Sequence, residues 1–437
     1  MLGESQCFDL VKAALAACEC DQAEVMLHSA RSSLTRFAES RIHQNVAEAN
    51  ALLSVRAIVG KRIGCARTNQ LTQDEVRGAA RRALELARVA AEDADFVSLP
   101  GPQPMPSVKG YSEATAASTP EQRAETARDI AEVAGEDRCT ASGSISVEAG
   151  ELAIGNSLGV RVYTPLSQAS LVLVVTDDES SGYADWRGVD LAQLDARASA
   201  ETATQKCVDG RNAEAGSPGD YAVVLEPAAV GELAMFLGYL GLGALSVQEG
   251  RSFLTGRLGE RVVGESITIW DDGTDSRSLA MPFDWEGQPK RKVMLIENGV
   301  ARNVVYDSYT ANREGKQNTG HALPAPNTHG PLPLNLFLEP GEASVDEMVA
   351  SMERGILVTR FHYVNVVHEK ETVITGMTRD GTFLIEDGKR TKPLKNLRFT
   401  QRVVEALSHV EMIGREGKLE EHAYVPALKI GKFSFTS

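Results

Sequence analysis

The chain has 437 residues, with 45 Lys and Arg against 60 Asp and Glu, and is 43% hydrophobic and 24% charged. That length exceeds one ordinary core and points to two domains of a globular protein. A net charge of −15 argues against nucleic-acid binding through overall charge, and no apolar run reaches the roughly 18–20 residues that span a bilayer.

The start, Met1 to Cys7, has no basic segment leading into an apolar one, so no signal peptide is expected and the chain is assigned to the cytoplasm. Lys290-Arg291-Lys292 and Lys389-Arg390-Thr391-Lys392 are too short for a basic patch, so neither nucleic acid nor membrane is an expected partner. Six cysteines at 7, 18, 20, 65, 139 and 207 include no CxxC pair, and Cys18-Glu19-Cys20 reads as two small half-buried residues rather than a metal site.

Along the chain, Leu10, Val11, Ala14 and Leu15 predict a helix over 8–17. Strand character follows at 24–28, 33–40 and 52–64, the last turning at Gly60-Lys61. Thr72 with Glu75 predicts a capping box at the head of a helix reaching about residue 91. Pro100, Pro102, Pro104 and Pro106 exclude helix or central strand and predict an extended connection. Thr119-Pro120 places a cap and a first-turn proline at the next helix. Alternation over 140–177 predicts an antiparallel meander of four short strands, then a helix over 191–207.

Asp209-Gly210 and the Gly/Pro-bearing stretch 216–220 predict a domain boundary, giving domains 1–215 and 216–437. Beyond it come a strand at 221–225, a very apolar helix over 227–245 and strands at 262–270, 292–297 and 383–386. Asn298-Gly299 and Asp387-Gly388 are hairpin signals, and 319–333, with two His and four Pro, reads as loop. The expected fold is α+β in two domains, a mixed α/β domain with an antiparallel sheet followed by a β-rich, barrel-like one.

Gly155-Asn156-Ser157-Leu158-Gly159 has the GxSxG spacing of serine hydrolases, but the strand-like residues after it predict a hairpin turn instead of a nucleophile elbow. Gly238, Gly241 and Gly243 fail GxGxxG because position 246 is Ser, and they read as close-packing positions. His368-Glu369 opens a zinc-peptidase motif that Thr372 and Val373 do not complete. His362, six residues earlier, would share a strand face with His368. These two and His422 are weak metal-ligand candidates, with His329 and His409 as further sources, against the simpler reading of surface histidines. Asp284, Glu286, Asp307 and Asp380 could supply a carboxylate pair, yet each sits beside a turn signal and nothing in the sequence pairs them.

Several segments together resemble the TldD/PmbA family. They include Thr35-Arg36-Phe37-Ala38, Asn156-Ser157-Leu158-Gly159 and Ser181-Gly182-Tyr183-Ala184. In the second half they include Ser252-Phe253-Leu254-Thr255-Gly256, Pro282-Phe283-Asp284, Leu295-Ile296-Glu297-Asn298-Gly299, Tyr306-Asp307-Ser308-Tyr309-Thr310-Ala311 and Asn318-Thr319-Gly320-His321-Ala322. The match runs from about residue 23 to the end. It implies a chain that acts in a pair and a zinc-dependent activity on short or unfolded peptides; "modulator of DNA gyrase" is an older label of the same family.

TldD-like members carry a His-Glu-x-x-x-His helix after a Val-Val-Leu strand and a Cys ligand near the C-terminus. Here Val223-Val224-Leu225 leads into a helix with no His, where only Glu232 could ligate, and 410–437 has no Cys. The resemblance therefore falls on the PmbA (TldE) side, and no catalytic residue carries over. It implies no cofactor in this chain, zinc in a TldD-like partner, and pairing as a heterodimer with that partner or as a homodimer. Asn318, Thr319, Gly320 and His321 are the peptide-groove candidates, with 319–333 a lid or a connector. The alternatives are a self-sufficient metallopeptidase with ligands from His321, His362, His368 and His422, or a non-enzymatic regulatory or binding protein.

Overall fold

A computed structural model describes residues 1–437 as two β-sheets, each with its own helices. The first sheet is built twice from one pattern. Helix α1 (Glu4–Ala16), strands β1 (Gln22–Ala38), β2 (Arg41–Val59) and β3 (Arg62–Thr68) and helix α2 (Gln73–Val89) form the first unit. After the short α3 (Glu113–Ala116), helix α4 (Pro120–Glu136), strands β4 (Thr140–Asn156), β5 (Arg161–Thr176) and β6 (Ser181–Gly188) and helix α5 (Ala196–Asp209) repeat it. The strand order β3-β2-β1-β4-β5-β6 is symmetric about the β1–β4 seam.

The two units also pack alike. Gly64 on β3 lies against α2, where an added Cβ would meet the Ala83 carbonyl oxygen at 2.2 Å. Gly182 on β6 lies against α5, where a Cβ would meet the Ala203 carbonyl oxygen at 2.0 Å. Alanine-rich helix faces (Ala79, Ala80, Ala83, Ala87; Ala200, Ala203) allow that approach. One difference breaks the symmetry. The outer edge of β5 before Ala169 is met by the 107–112 segment, with Ser167 N–H donating to the Gly110 carbonyl at 2.9 Å. The matching edge of β2, 41–52, pairs with no strand because β3 reaches only Leu53.

The second sheet begins at β7 (Gly219–Leu225) and is followed by α6 (Pro227–Gly241) and α7 (Ala244–Gln248). Short strands β8 (Ile269–Asp271), β9 (Val293–Glu297) and β10 (Val300–Ala301), helix α8 (Ser308–Glu314), strand β11 (Leu336–Leu338) and helix α9 (Val345–Ala350) come next. Long hairpins finish the chain: β12 (Arg354–His368), β13 (Val373–Glu386), β14 (Lys389–Pro393), β15 (Arg398–Arg402), then α10 (Val403–Ser408), β16 (Val410–Glu420) and β17 (Ala423–Phe435). Because β7 pairs with both β12 and β17, strands β17-β15-β13-β12-β7 close into a ring. Phe361, Phe399 and Phe433 pack together in its apolar core, and α6 buries Leu233 and Leu237 in the same cluster. The α+β fold with a barrel-like C-terminal part is as the sequence suggested. No helix is long and apolar enough to cross a membrane.

Several local expectations change. The strand at 24–28 and the one at 33–40 are a single strand, and 140–177 holds two long strands instead of four short ones. Their mid-strand polar residues hid this continuity. Thr72 caps α2 by accepting from Glu75 N–H, but Glu75 does not reach back, whereas Thr119 and Gln122 make the reciprocal box at α4. Only Ile269 and Trp270 of 262–270 are strand, and the helix over 227–245 breaks at Leu242-Gly243. Gly241 and Gly243 do mark close approach, with a Cβ meeting the Phe253 ring at 2.2 Å and the Pro331 carbonyl oxygen at 2.3 Å.

Candidate functional site

The open side of the first sheet faces the second across a cleft, with the β16–β17 turn between two hollows. In the first, about 110 Å³, α6 presents Ala228, Gly231, Glu232 and Met235, one row at helical spacing, toward β5 and β6. Gly231 is where the β16–β17 turn closes on the helix: a Cβ there would sit 2.5 Å from that of Glu420. The opposite wall carries Tyr183, Asp185 and Arg187.

Charge fills this hollow. Lys418 lies between Asp185 and Glu420, 2.8 Å from the latter. Arg187 reaches Glu421 at 3.0 Å. Arg360 stacks 4.2 Å over the Tyr183 ring and pairs with Asp380, which also accepts from Ser181 Oγ at 2.6 Å. Burial pushes Glu420 up to about 8, with Lys418 opposing and Asp185 reinforcing the shift. Burial also raises Glu232, aided by Glu421. Asp185, Glu420 and Glu421 are thus held by Lys418 and Arg187, Glu232 makes no ion pair, and α6 offers neither imidazole nor thiol to the hollow.

The second hollow, about 280 Å³, lies beyond the turn. Trp285, Leu166, Met281 and Leu334 make its apolar walls, and Lys290, His422, His28 and Gln168 its polar ones. Behind it, His321 is fully buried, with Nε2 2.7 Å from Asp271 Oδ1 and Nδ1 2.9 Å from the Thr319 hydroxyl. Burial lowers the His321 pKa against the pull of Asp271. Although burial alone would raise Asp271, His321, Lys290 and the Asn335 N–H hold it below the usual range. The network therefore assigns a neutral imidazole, with Nε2–H donating to an ionised Asp271.

A third group joins the two sheets. Arg56 on β2 donates to Glu24 on β1 at 2.8 Å and to Glu286 at 3.1 Å. Glu286 also accepts from Ser308 N–H, while Asp284 accepts from the N–H groups of Glu286, Gln288 and Ala322. Burial, reinforced by Glu286, pushes Asp284 up to about 7 in spite of those three donors. Asp307 caps α8 and is likewise raised by burial and Glu286. A hollow of about 800 Å³ opens beside Arg56, Glu286 and Asp307.

Of the carboxylates singled out in the sequence, Asp284, Glu286 and Asp307 are thus brought together, and Asp380 lies apart with Arg360. The reading that left them unpaired missed Glu24 and Arg56, whose signal was a lone charge inside an apolar strand run. It also missed Asp271, Lys290, Asp185 and Lys418. Ser157 occupies the β4–β5 turn, where its hydroxyl accepts from Ala23 N–H at 3.0 Å and no helix follows.

His362 and His368 do not share a regular face, because β12 is bulged between His362 and Asn365 and again before His368, with Tyr363 at φ 55°. His368 Nδ1 instead accepts from Glu371 N–H at 3.2 Å. His422 borders the second hollow, and these histidines do not converge. The only three potential ligand atoms that meet within 4.8 Å belong to Cys139, Asp177 and Cys207, and Asp177 is already taken by Arg211 and Ser180. Cys18 and Cys20 lie 3.3 Å apart without a third ligand.

Asn318 and Thr319 tie their loop to α8 and Tyr306, with Asn318 Nδ2 donating to Ser308 Oγ at 2.9 Å. Gly320 has φ 77°, and a Cβ there would meet the Pro289 carbonyl oxygen at 2.2 Å, so only glycine fits. Within 319–333 the chain has no helix or strand.

Three family domains match the chain: PmbA/TldA metallopeptidase domain 1 over residues 23–87, the central domain over 114–210 and the C-terminal domain over 218–437. An uncharacterized protein of Methanocaldococcus jannaschii is 33% identical over 211 residues, 45% of this chain and 46% of that protein. The "Metalloprotease TldD homolog" of Haemophilus influenzae is 29% identical over 174 residues, 39% of this chain and 35% of that protein. The matches therefore span less than half the length of these relatives. Among solved structures, TldE from Thermococcus kodakarensis superposes with a TM-score of 0.90 at 22% identity, covering 99% of this chain and 100% of that one. A putative modulator of DNA gyrase from Thermotoga maritima superposes with a TM-score of 0.89 at 19% identity, covering 98% and 100%. At these identities the superpositions speak to fold.

Proposed function

The chain belongs to the PmbA/TldA metallopeptidase family, and from that premise we propose that it is the TldE-like, non-catalytic subunit of a metallopeptidase acting on short or unfolded peptides. In this reading it carries no zinc, a TldD-like partner supplies the metal, and the cleft between its two sheets forms part of the peptide path. Residues 1–215 and 216–437 are its two domains. The observation that carries the reading is the row Ala228, Gly231, Glu232 and Met235 on α6, facing carboxylates already neutralised by Lys418 and Arg187. Zinc takes imidazole, thiolate and free carboxylate donors in a tetrahedral set. Such a set does not fit here: α6 supplies one half-buried glutamate and no imidazole or thiolate, and the carboxylates opposite it are paired with Lys418 and Arg187, so no chemical step is assigned to a metal in this chain.

The test is to purify the chain alone and together with a TldD-like relative, and to measure zinc by elemental analysis and cleavage of an unstructured peptide. The expected result is no stoichiometric zinc and no cleavage alone, and cleavage by the mixture above that of the relative by itself. Stoichiometric zinc with cleavage by the chain alone would overturn the proposal.

A further inference from the structure

Lys290 is a largely buried lysine with no direct hydrogen-bond or ion-pair partner, and Asp271 feels its charge only from beyond 4.0 Å. It is 6% exposed, its ammonium makes no hydrogen bond, and no carboxylate oxygen lies within 4.0 Å of it. Asp271, the nearby buried anion, is spent elsewhere: Oδ1 faces His321 at 2.7 Å and Oδ2 accepts from Asn335 N–H at 2.7 Å. Glu148, in the same hollow, accepts from Gln168 at 3.4 Å. The stem of Lys290 is thus enclosed while its unpaired ammonium opens onto the hollow.

The position of Lys290 is also built. A Cβ on Gly273 would lie 2.0 Å from Lys290 Cδ, and one on Gly320 would lie 2.8 Å from Lys290 Cα. Two residues without side chains therefore leave room for the lysine stem and its backbone. The stem borders a hollow of about 280 Å³ whose other walls include Trp285, Leu166, Met281 and Leu334. A cation at one wall of an apolar pocket selects a ligand with an anionic head and an apolar body.

We propose that this hollow is a binding site for the C-terminal residue of a peptide, with Lys290 pairing the terminal carboxylate and the Trp285–Leu334 walls taking an apolar side chain. A carboxylate is favoured over a larger anion because the volume must also hold the side chain, and one ammonium matches one negative charge. The site deepens the peptide reading above, and binding and cleavage test the two separately: the pocket can bind even if no partner restores cleavage.

The experiment is calorimetric titration of the full chain with N-acetyl-leucine, N-acetyl-leucinamide and acetate, repeated on Lys290→Met. The expected order is N-acetyl-leucine tightest, with the amide and acetate each at least about tenfold weaker. Lys290→Met, which keeps an unbranched stem in the same channel, is expected to abolish the preference for the acid over the amide. Leu334→Trp, which fills the pocket and leaves Lys290 in place, is expected to weaken N-acetyl-leucine while leaving acetate unchanged. Equal binding of acid and amide would overturn the proposal, as would acetate matching N-acetyl-leucine or an unaltered preference in Lys290→Met.

Discussion

Arg56 holds Glu24 and Glu286 together across the two sheets with little solvent access, the side chains being 14%, 5% and 9% exposed. Removing one member of a buried pair leaves the other charges uncompensated, and such losses run to about 3–5 kcal/mol. Arg56→Met is expected to lose stability of that order in urea unfolding, whereas Arg62→Met, whose partner Glu92 is exposed, should lose under about 1 kcal/mol. Asp284 adds a pH signature. Its folded pKa is raised to about 7 from 3.8, so the native state holds this proton more tightly than the unfolded chain. Its contribution is fully present below 3.8 and is lost as pH rises toward 7. Asp284→Asn should flatten that part of the stability-against-pH curve, read as urea midpoints at successive pH values; an unchanged slope would remove Asp284 as its source.

At the scale of elements, the two α-β-β-β-α units meet their helices through single glycines. Gly182→Ala would drive a methyl into the Ala203 carbonyl, and overpacking of this kind costs about 1–3 kcal/mol. Gly135→Ala, in α4 with open space around it, should instead stabilise by about 0.5–1 kcal/mol. Thermal melts of the pair should move in opposite directions. The elements that sequence reading recovered were those with local punctuation: the Asn298-Gly299 and Asp387-Gly388 hairpins and the Thr119-Pro120 helix start. What it missed lacked local signals. The 41–51 half of β2 is largely exposed and mixes polar residues with alanines instead of alternating, and only its pairing with β1 makes it a strand. The ring closure through β7 and β17 joins residues about two hundred apart, beyond any window of periodicity. The hollows were hidden for the same reason: Lys290 and Asp271 are ordinary charges in sequence and come together only where the 279–290 and 321–335 segments meet the first sheet and the β16–β17 turn.

At the scale of the molecule, polar ties between the two halves include the Arg56 group, Arg187 with Glu421, Lys418 with Asp185, Ser181 with Asp380 and Lys206 with Glu226. Those of Arg56, Arg187 and Asp185 line the hollows, so some contacts that dock the two halves also shape the cleft. The native chain is expected to unfold in one calorimetric transition near neutral pH, and Arg56→Met to separate it into two. A single transition in both would place the coupling in the apolar contacts around Phe283 instead.

The doubled first sheet also sets an order of assembly. Within each unit the strands are consecutive hairpins, as with Gln22 against Ile58 and Thr140 against Thr176, while the β1–β4 seam joins residues as distant as Glu24 and Asn156. Local pairing closes faster than distant pairing because less chain entropy is lost before contacts form. In pulsed hydrogen exchange during refolding, amides bonded inside each unit should gain protection first and those bridging the seam later. The seam would then be the slow step, at which two separately formed halves recognise one another within a single polypeptide.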